Sequence, residues 1–282
     1  MILDRQTNKV FVSEKTLEYF PTETNHIFEC LANQGVLVKY LPFTKEGWCR
    51  DYMPIQVSKT KFVQYRYWPD YMRNIVDMPY ITDPSETLSW LGIETVKTTL
   101  IIDGGNVIKC PDCVIMVDKI FKENPDWTRT QVIEELECLF ECEILFLPWD
   151  RAEKYGHADG IVRYIRDNKV LMTNYSQIDA RFADKFRKAL SKKFEVVELH
   201  YDVERPHKYN WSYINFLQMR DLIAIPSFNE PEDQQALAQI KDCFKDYRCK
   251  VITIPMKEIV KAGAALNCIS WTITSWVLPN YL

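Results

Sequence analysis

Apolar residues recur along this chain with a long period. Short runs with strand character stand at Val10 to Val12, Phe62 to Tyr65, Val114 to Val117, Val170 to Thr173 and Leu222 to Ile225; their first residues are 52, 52, 56 and 52 apart. Most are followed by a 3.6-residue apolar period, which predicts a helix. It is carried by Ile27 and Leu31 in the first unit and by Ile133, Leu136 and Phe140 in the third. Ile178, Phe182, Phe186 and Leu190 carry it in the fourth unit, and Leu237, Ile240 and Phe244 in the fifth. The second unit offers only Pro84 to Leu91, behind an Asp83 cap. A further strand completes each unit, at Val36 to Leu41, Val96 to Ile102, Ile144 to Leu147, Val196 to Leu199 and Val251 to Ile254. Gly35 stands where the first helix calls for a left-handed end.

The pattern predicts an α/β protein of five strand, helix, strand units. Each is too small to bury its own apolar face, so the units are expected to pack around a common axis, as one domain over residues 1–282. The segment after the second strand of each unit is chemically rich. In order these segments supply Asp51, Asp103, His157, Asn215 and Cys268, at intervals of 52, 54, 58 and 53 that match the structural period. A ring of units brings their side chains toward one point.

Composition narrows the function. An apolar fraction of 47% supports a substantial core, and a net charge of -4 with interspersed signs leaves no electrostatic footprint for nucleic acid. No signal-peptide core or membrane-length apolar run is present, so a soluble, cytoplasmic protein with no membrane partner is expected. Nine cysteines are an odd number in a chain whose core needs no disulfides. Cys110 and Cys113 flank Pro111 and Asp112, which suits a hairpin tip better than a redox helix start. With Cys138 and Cys142 they raise the alternative of a zinc site, but no metal and no cofactor is expected.

The segments "WCRDYMP", "DGGN", "GHADG", "SYINF" with the following "IPSFNEPED", and "KAGAALNCIS" run in the order found in the agmatine deiminase and bacterial-type peptidylarginine deiminase family of guanidine-modifying enzymes, which the chain resembles. The resemblance implies a five-bladed, pseudo-symmetric α/β propeller built from ββαβ-type repeats. It also implies a cysteine-dependent hydrolase that deiminates a guanidino compound, with agmatine, giving N-carbamoylputrescine and ammonia, as first choice. Peptidyl-arginine or free arginine is the alternative, because Ala264, Ala265, Leu266 and Asn267 replace the family's usual Gly-Gly-Asn and His before the nucleophile. A catalytically silent binder of guanidinium or polyamine ligands is a third possibility. The expected partner is a small guanidino molecule; a homodimer is left open.

Each residue then takes a role. Asp51 and Asp159 hold the planar cation, since paired carboxylates match its fork of N–H groups. Cys268 attacks as nucleophile, His157 protonates the departing ammonia and then activates water, and Asp103 fixes the imidazole. Asn215 shapes the nucleophile's surroundings and Trp48 stacks on the substrate. Gly104 and Gly105 admit close backbone approach. Arg50 and Arg163 are expected to brace carboxylates.

Overall fold

The computed structural model describes residues 1–274. The first unit runs from β1 (Lys9–Ser13) through α1 (Pro21–Ala32) to β2 (Val38–Leu41), which lies parallel to β1. The next four units each gain a leading strand that pairs antiparallel with the central one. They are β3 (Ile55–Gln56), β4 (Phe62–Arg66), α2 (Ser85–Leu91) and β5 (Val96–Ile101); then β6 (Ile108–Lys109), β7 (Cys113–Val117), α3 (Arg129–Phe140) and β8 (Glu143–Leu147). The fourth unit is β9 (Val162–Arg166), β10 (Lys169–Met172), α4 (Ala180–Leu190) and β11 (Glu195–Glu198). The fifth is β12 (Leu217–Gln218), β13 (Leu222–Ser227), α5 (Pro231–Cys243) and β14 (Lys250–Pro255). The last strand, β15 (Ser270–Ile273), returns to the first unit and pairs antiparallel with β1, Lys9 opposite Ile273 and Val12 opposite Ser270. Five three-stranded sheets result, and one of them joins the two ends of the described chain.

The apolar pattern found the central and third strands but not the leading ones. β3, β6 and β12 are two residues long, too short for any periodicity to register, and β9, five residues long, has its apolar positions interrupted by Arg163 and ended by Arg166. The central strands read as continuous apolar runs because they are covered on both faces: every residue of β7 and of β13 is buried. The ββαβ repeat implied by the resemblance is the architecture observed.

Local chemistry sets the ends of the helices. Gly35 is left-handed at φ 79°, and Val36 N–H caps the Leu31 carbonyl beyond α1. Thr128 and Gln131 form a capping box at α3. Helix α2 starts one residue later than expected, at Ser85, whose N–H donates to Asp83 Oδ1 at 2.9 Å. Asp179 caps α4, so Ile178 falls outside the helix and is 54% exposed; Ala183, Phe186 and Leu190 form its buried face.

Cys110 and Cys113 flank the β6–β7 hairpin turn, with Cys110 N–H donating to the Cys113 carbonyl at 2.9 Å. All nine cysteines are free thiols. Among the described residues no group of three or more His, Cys, Asp or Glu is arranged to hold a metal, and no helix is long and apolar enough to cross a membrane.

Candidate active site

The five predicted positions lie on five equivalent turns, between the third strand of one unit and the leading strand of the next. Asp51 sits in a helical turn (Cys49–Tyr52), Asp103 just before the 3-10 turn Gly104–Asn106, and His157 just before the 3-10 turn Ala158–Gly160. Asn215 ends the 3-10 turn Asn210–Ile214, and Cys268 precedes β15. The turn at 49–52 touches that at 104–106, which touches 158–160, which touches 210–214. Consecutive turns are therefore in contact.

His157 lies between two carboxylates. Its Nε2 is 3.0 Å from Asp103 Oδ2 and its Nδ1 is 3.7 Å from Asp51 Oδ1. The first contact is a hydrogen bond and the second an ion-pair distance, and carboxylates on both sides of the ring favour the imidazolium. Burial opposes that charge, but Asp51, Asp103 and Asp159 outweigh it and push the imidazole up to about 10. Asp51 moves above the usual carboxylate range because burial, Asp103 and Asp159 together exceed the attraction of His157. Asp103 is 2% exposed and only one of its oxygens is bonded, so it lies behind the imidazole rather than on the cavity wall.

Gly105 is what makes this packing feasible. Its N–H donates to Asp51 Oδ1 at 2.9 Å, and a Cβ there would stand 2.7 Å from both Asp51 Oδ1 and His157 Nδ1. At Gly104 a Cβ would stand 2.1 Å from the Arg50 carbonyl oxygen. The "DGGN" glycines thus serve close approach.

Cys268 faces the same cavity. Its Sγ is 3.3 Å from Asn215 Oδ1 and 3.8 Å from Asp159 Oδ2. Asn215 Oδ1 also accepts from the Cys268 backbone N–H at 3.3 Å, so Asn215 holds the nucleophile candidate directly. Burial, then the charges of Asp159 and Asp51, push the thiol well above its ordinary value.

Asp51, His157, Asp159, Asn215 and Cys268 all line one cavity of about 880 Å³, and Trp48 lies on its wall. Of the two arginines expected to brace carboxylates, Arg163 does so, at Asp4, while Arg50 bonds a backbone carbonyl. Arg50 donates from Nε to the Asn267 carbonyl, and Arg163 donates to the carbonyls of Ile214 and Phe216 while pairing with Asp4 at 3.5 Å. Arg50 thus ties the turn carrying Asp51 to the residue before Cys268, Arg163 ties β9 to the turn carrying Asn215, and neither makes a hydrogen bond to a site carboxylate.

Four residues escaped the sequence reading. Asn267, noted only as a departure from the family pattern, donates to Asp159 Oδ2 at 2.7 Å. Tyr155, two residues before His157, lies tilted at 5.9 Å from its ring, and Tyr71, in the 3-10 turn Asp70–Met72 far from any repeat position, lies 6.2 Å from it. Buried Lys119 has no place in the period at all.

Five blades around a ring of touching turns, with a thiol, an imidazole and carboxylates on those turns, define the class: an α/β propeller of the kind found in deiminases that act on guanidino groups. The description Porphyromonas-type peptidyl-arginine deiminase matches residues 2–273, so the chain belongs to that family. It is 24% identical over 204 residues to the agmatine deiminase of Pseudomonas aeruginosa strain LESB58, a match covering 60% of this chain and 54% of the relative; the chain thus spans about half the length of that curated relative. C. jejuni agmatine deiminase superposes with a TM-score of 0.77 at 14% identity, covering 97% of this chain and 95% of that one. The dimethylarginine dimethylaminohydrolase DDAH of Pseudomonas aeruginosa does so at 0.61 and 13% identity, covering 95% and 100%.

Proposed function

We propose that this protein is a cysteine-dependent hydrolase that deiminates a small guanidino compound, with agmatine the first substrate to test. The observation that carries the reading is the convergence of Cys268, His157, Asp51 and Asp159 on one cavity wall. A structurally similar C. jejuni agmatine deiminase is known with substrate bound in a Cys-to-Ser variant.

The steps derive from charge. Before substrate binds, three carboxylates surround a protonated His157, and Cys268 stays a thiol. A guanidinium held by Asp51 and Asp159 adds positive charge beside Sγ, so the thiol gives its proton to solvent and a thiolate is left. The thiolate attacks the guanidinium carbon to form an S–C bond. The His157 imidazolium gives its proton to one NH₂ group; the C–N bond breaks and ammonia leaves, with an S-alkylthiouronium remaining. The now neutral imidazole takes a proton from water, whose oxygen adds to the same carbon. Cleavage of the S–C bond returns the thiolate, the added oxygen gives its remaining proton to solvent, and the ureido product is left. Asp103, at His157 Nε2, stabilises the imidazolium in both halves.

One observation favours a larger substrate. A cavity of about 880 Å³ exceeds what agmatine needs and leaves room for the rest of an arginyl peptide. Purified protein without added metal is expected to release ammonia from at least one of agmatine, arginine or an arginyl peptide, at a rate that a chelator does not reduce. Binding of guanidino compounds without turnover would favour the silent binder instead.

A further inference from the structure

One buried cation next to this site has no part in the steps above. Lys119 lies just after β7, and its side chain is 2% exposed. Its Nζ donates to the Tyr155 carbonyl at 2.7 Å, pairs with Asp70 Oδ1 at 2.9 Å and with Glu123 Oε1 at 3.4 Å, and lies 5.1 Å from the centre of the Tyr71 ring. A single ammonium thus holds two separate stretches of chain. One is the 3-10 turn Asp70–Met72, inserted between β4 and α2; the other is the approach to His157 through Tyr155 and Gly156.

Those two stretches carry the rings that flank the imidazole. Tyr71 and Tyr155 meet edge to face at 5.0 Å, and both line the cavity beside His157. Gly156 seats directly on the lysine: φ is 67°, and a Cβ there would stand 2.6 Å from Lys119 Cδ. We propose that Lys119 is a positioning residue, clamping the 70–72 turn to the 155–157 segment so that Tyr71 and Tyr155 fix the imidazole of His157.

The chemistry of the lysine suits this task. Burial opposes its charge, but Glu123, Asp70 and Asp103 more than restore it, so it stays an ammonium with three donors to share. A buried ion pair adds little net stability over an apolar substitute of the same size, whereas its directional bonds fix a single arrangement. Lys122 also bonds Asp70, at 2.8 Å, but from an exposed position where such pairs contribute little.

The proposal rests on the hydrolase reading for its kinetic arm, and limited tryptic digestion of the full chain supplies an arm that does not. Arg73 is exposed and stands directly after the clamped turn, so cleavage after it reports release of that turn. Lys119→Met is expected to lower kcat about ten- to a hundredfold, the scale of a misplaced catalytic group, with KM little changed because Asp51 and Asp159 still hold the cation. Cleavage after Arg73 becomes several times faster. Lys119→Arg, which keeps charge and donors, recovers part of both effects, and Lys122→Met causes neither. A folded Lys119→Met protein with parental kcat and parental Arg73 cleavage overturns the proposal. Should that variant fail to fold, Asp70→Asn cuts the same tie from its solvent side, and parental values there overturn it equally. If the parent chain turns over no guanidino compound, the hydrolase reading fails by itself, while the digestion still decides the clamp.

Discussion

Cys268 carries a thiol that its surroundings keep protonated, since it is only 9% exposed and two carboxylates face it. Neutral iodoacetamide is therefore expected to alkylate it slowly at neutral pH, with a rate that climbs as pH rises beyond the ordinary thiol range of about 8.5. The sign reverses for a cationic reagent. A chloroacetamidine brings its own positive charge between Asp51 and Asp159, stabilises the thiolate and places the alkylating carbon beside Sγ, so labelling becomes faster and its pH profile shifts downward. Peptide mapping by mass spectrometry after limiting treatment checks this; label on Cys138 and the other thiols with Cys268 untouched would refute the assignment. Asp159 is held at 2.7 Å by Asn267. Asp159→Asn is expected to remove about 2 to 5 kcal/mol of transition-state stabilisation, read as kcat/KM, because a desolvated cation loses a charged partner. A folded variant with parental kcat/KM would remove Asp159 from the site.

At the scale of elements, the turns bearing the site residues are governed by how closely backbone can approach. Gly104 and Gly105 are neighbours with different duties. Gly104→Ala drives a Cβ against the Arg50 carbonyl, backbone against backbone, so the expected outcome is a fall in thermal stability. Gly105→Ala pushes instead on Asp51 and His157 side chains, which can swing away, so stability largely survives while kcat/KM falls about a hundredfold. Thermal melts and steady-state kinetics on the two variants separate these effects. Gly160, with nothing within 4 Å of its virtual Cβ, serves as the reference: Gly160→Ala keeps the parental melting point. The "DGGN" segment announced tight turns in the sequence, but which glycine guards the fold and which the site depends on neighbours some fifty residues away.

At the scale of the whole molecule, the ring closes through β15. Trp271, 2% exposed, packs 5.3 Å from Phe11 and donates from Nε1 to the Pro54 carbonyl at 2.9 Å, joining the last strand to the first and second blades. Trp271→Ala is expected to cost about 3 to 5 kcal/mol, seen as a lower urea midpoint, and to take activity with it because β15 begins two residues after Cys268. A cost below about 1 kcal/mol would mean that closure does not depend on this contact. The sequence by itself determined the five-fold repeat, the two long strands and the helix of each unit, and the residue types on the five turns. All of these are local: apolar period, helix caps and turn chemistry are written within a dozen residues. It could not reveal the two-residue leading strands, whose hydrogen bonds exist only because β4, β7 and β13 lie alongside, nor the pairing of β15 with β1 across the whole chain. Tertiary structure alone decided that Asn267 holds Asp159, that the arginines bind backbone carbonyls, that Tyr71 lies beside His157 and that Lys119 holds Tyr155 and Asp70. Most of those contacts join residues on different blades, and position along the chain says nothing about them until the blades close on one axis.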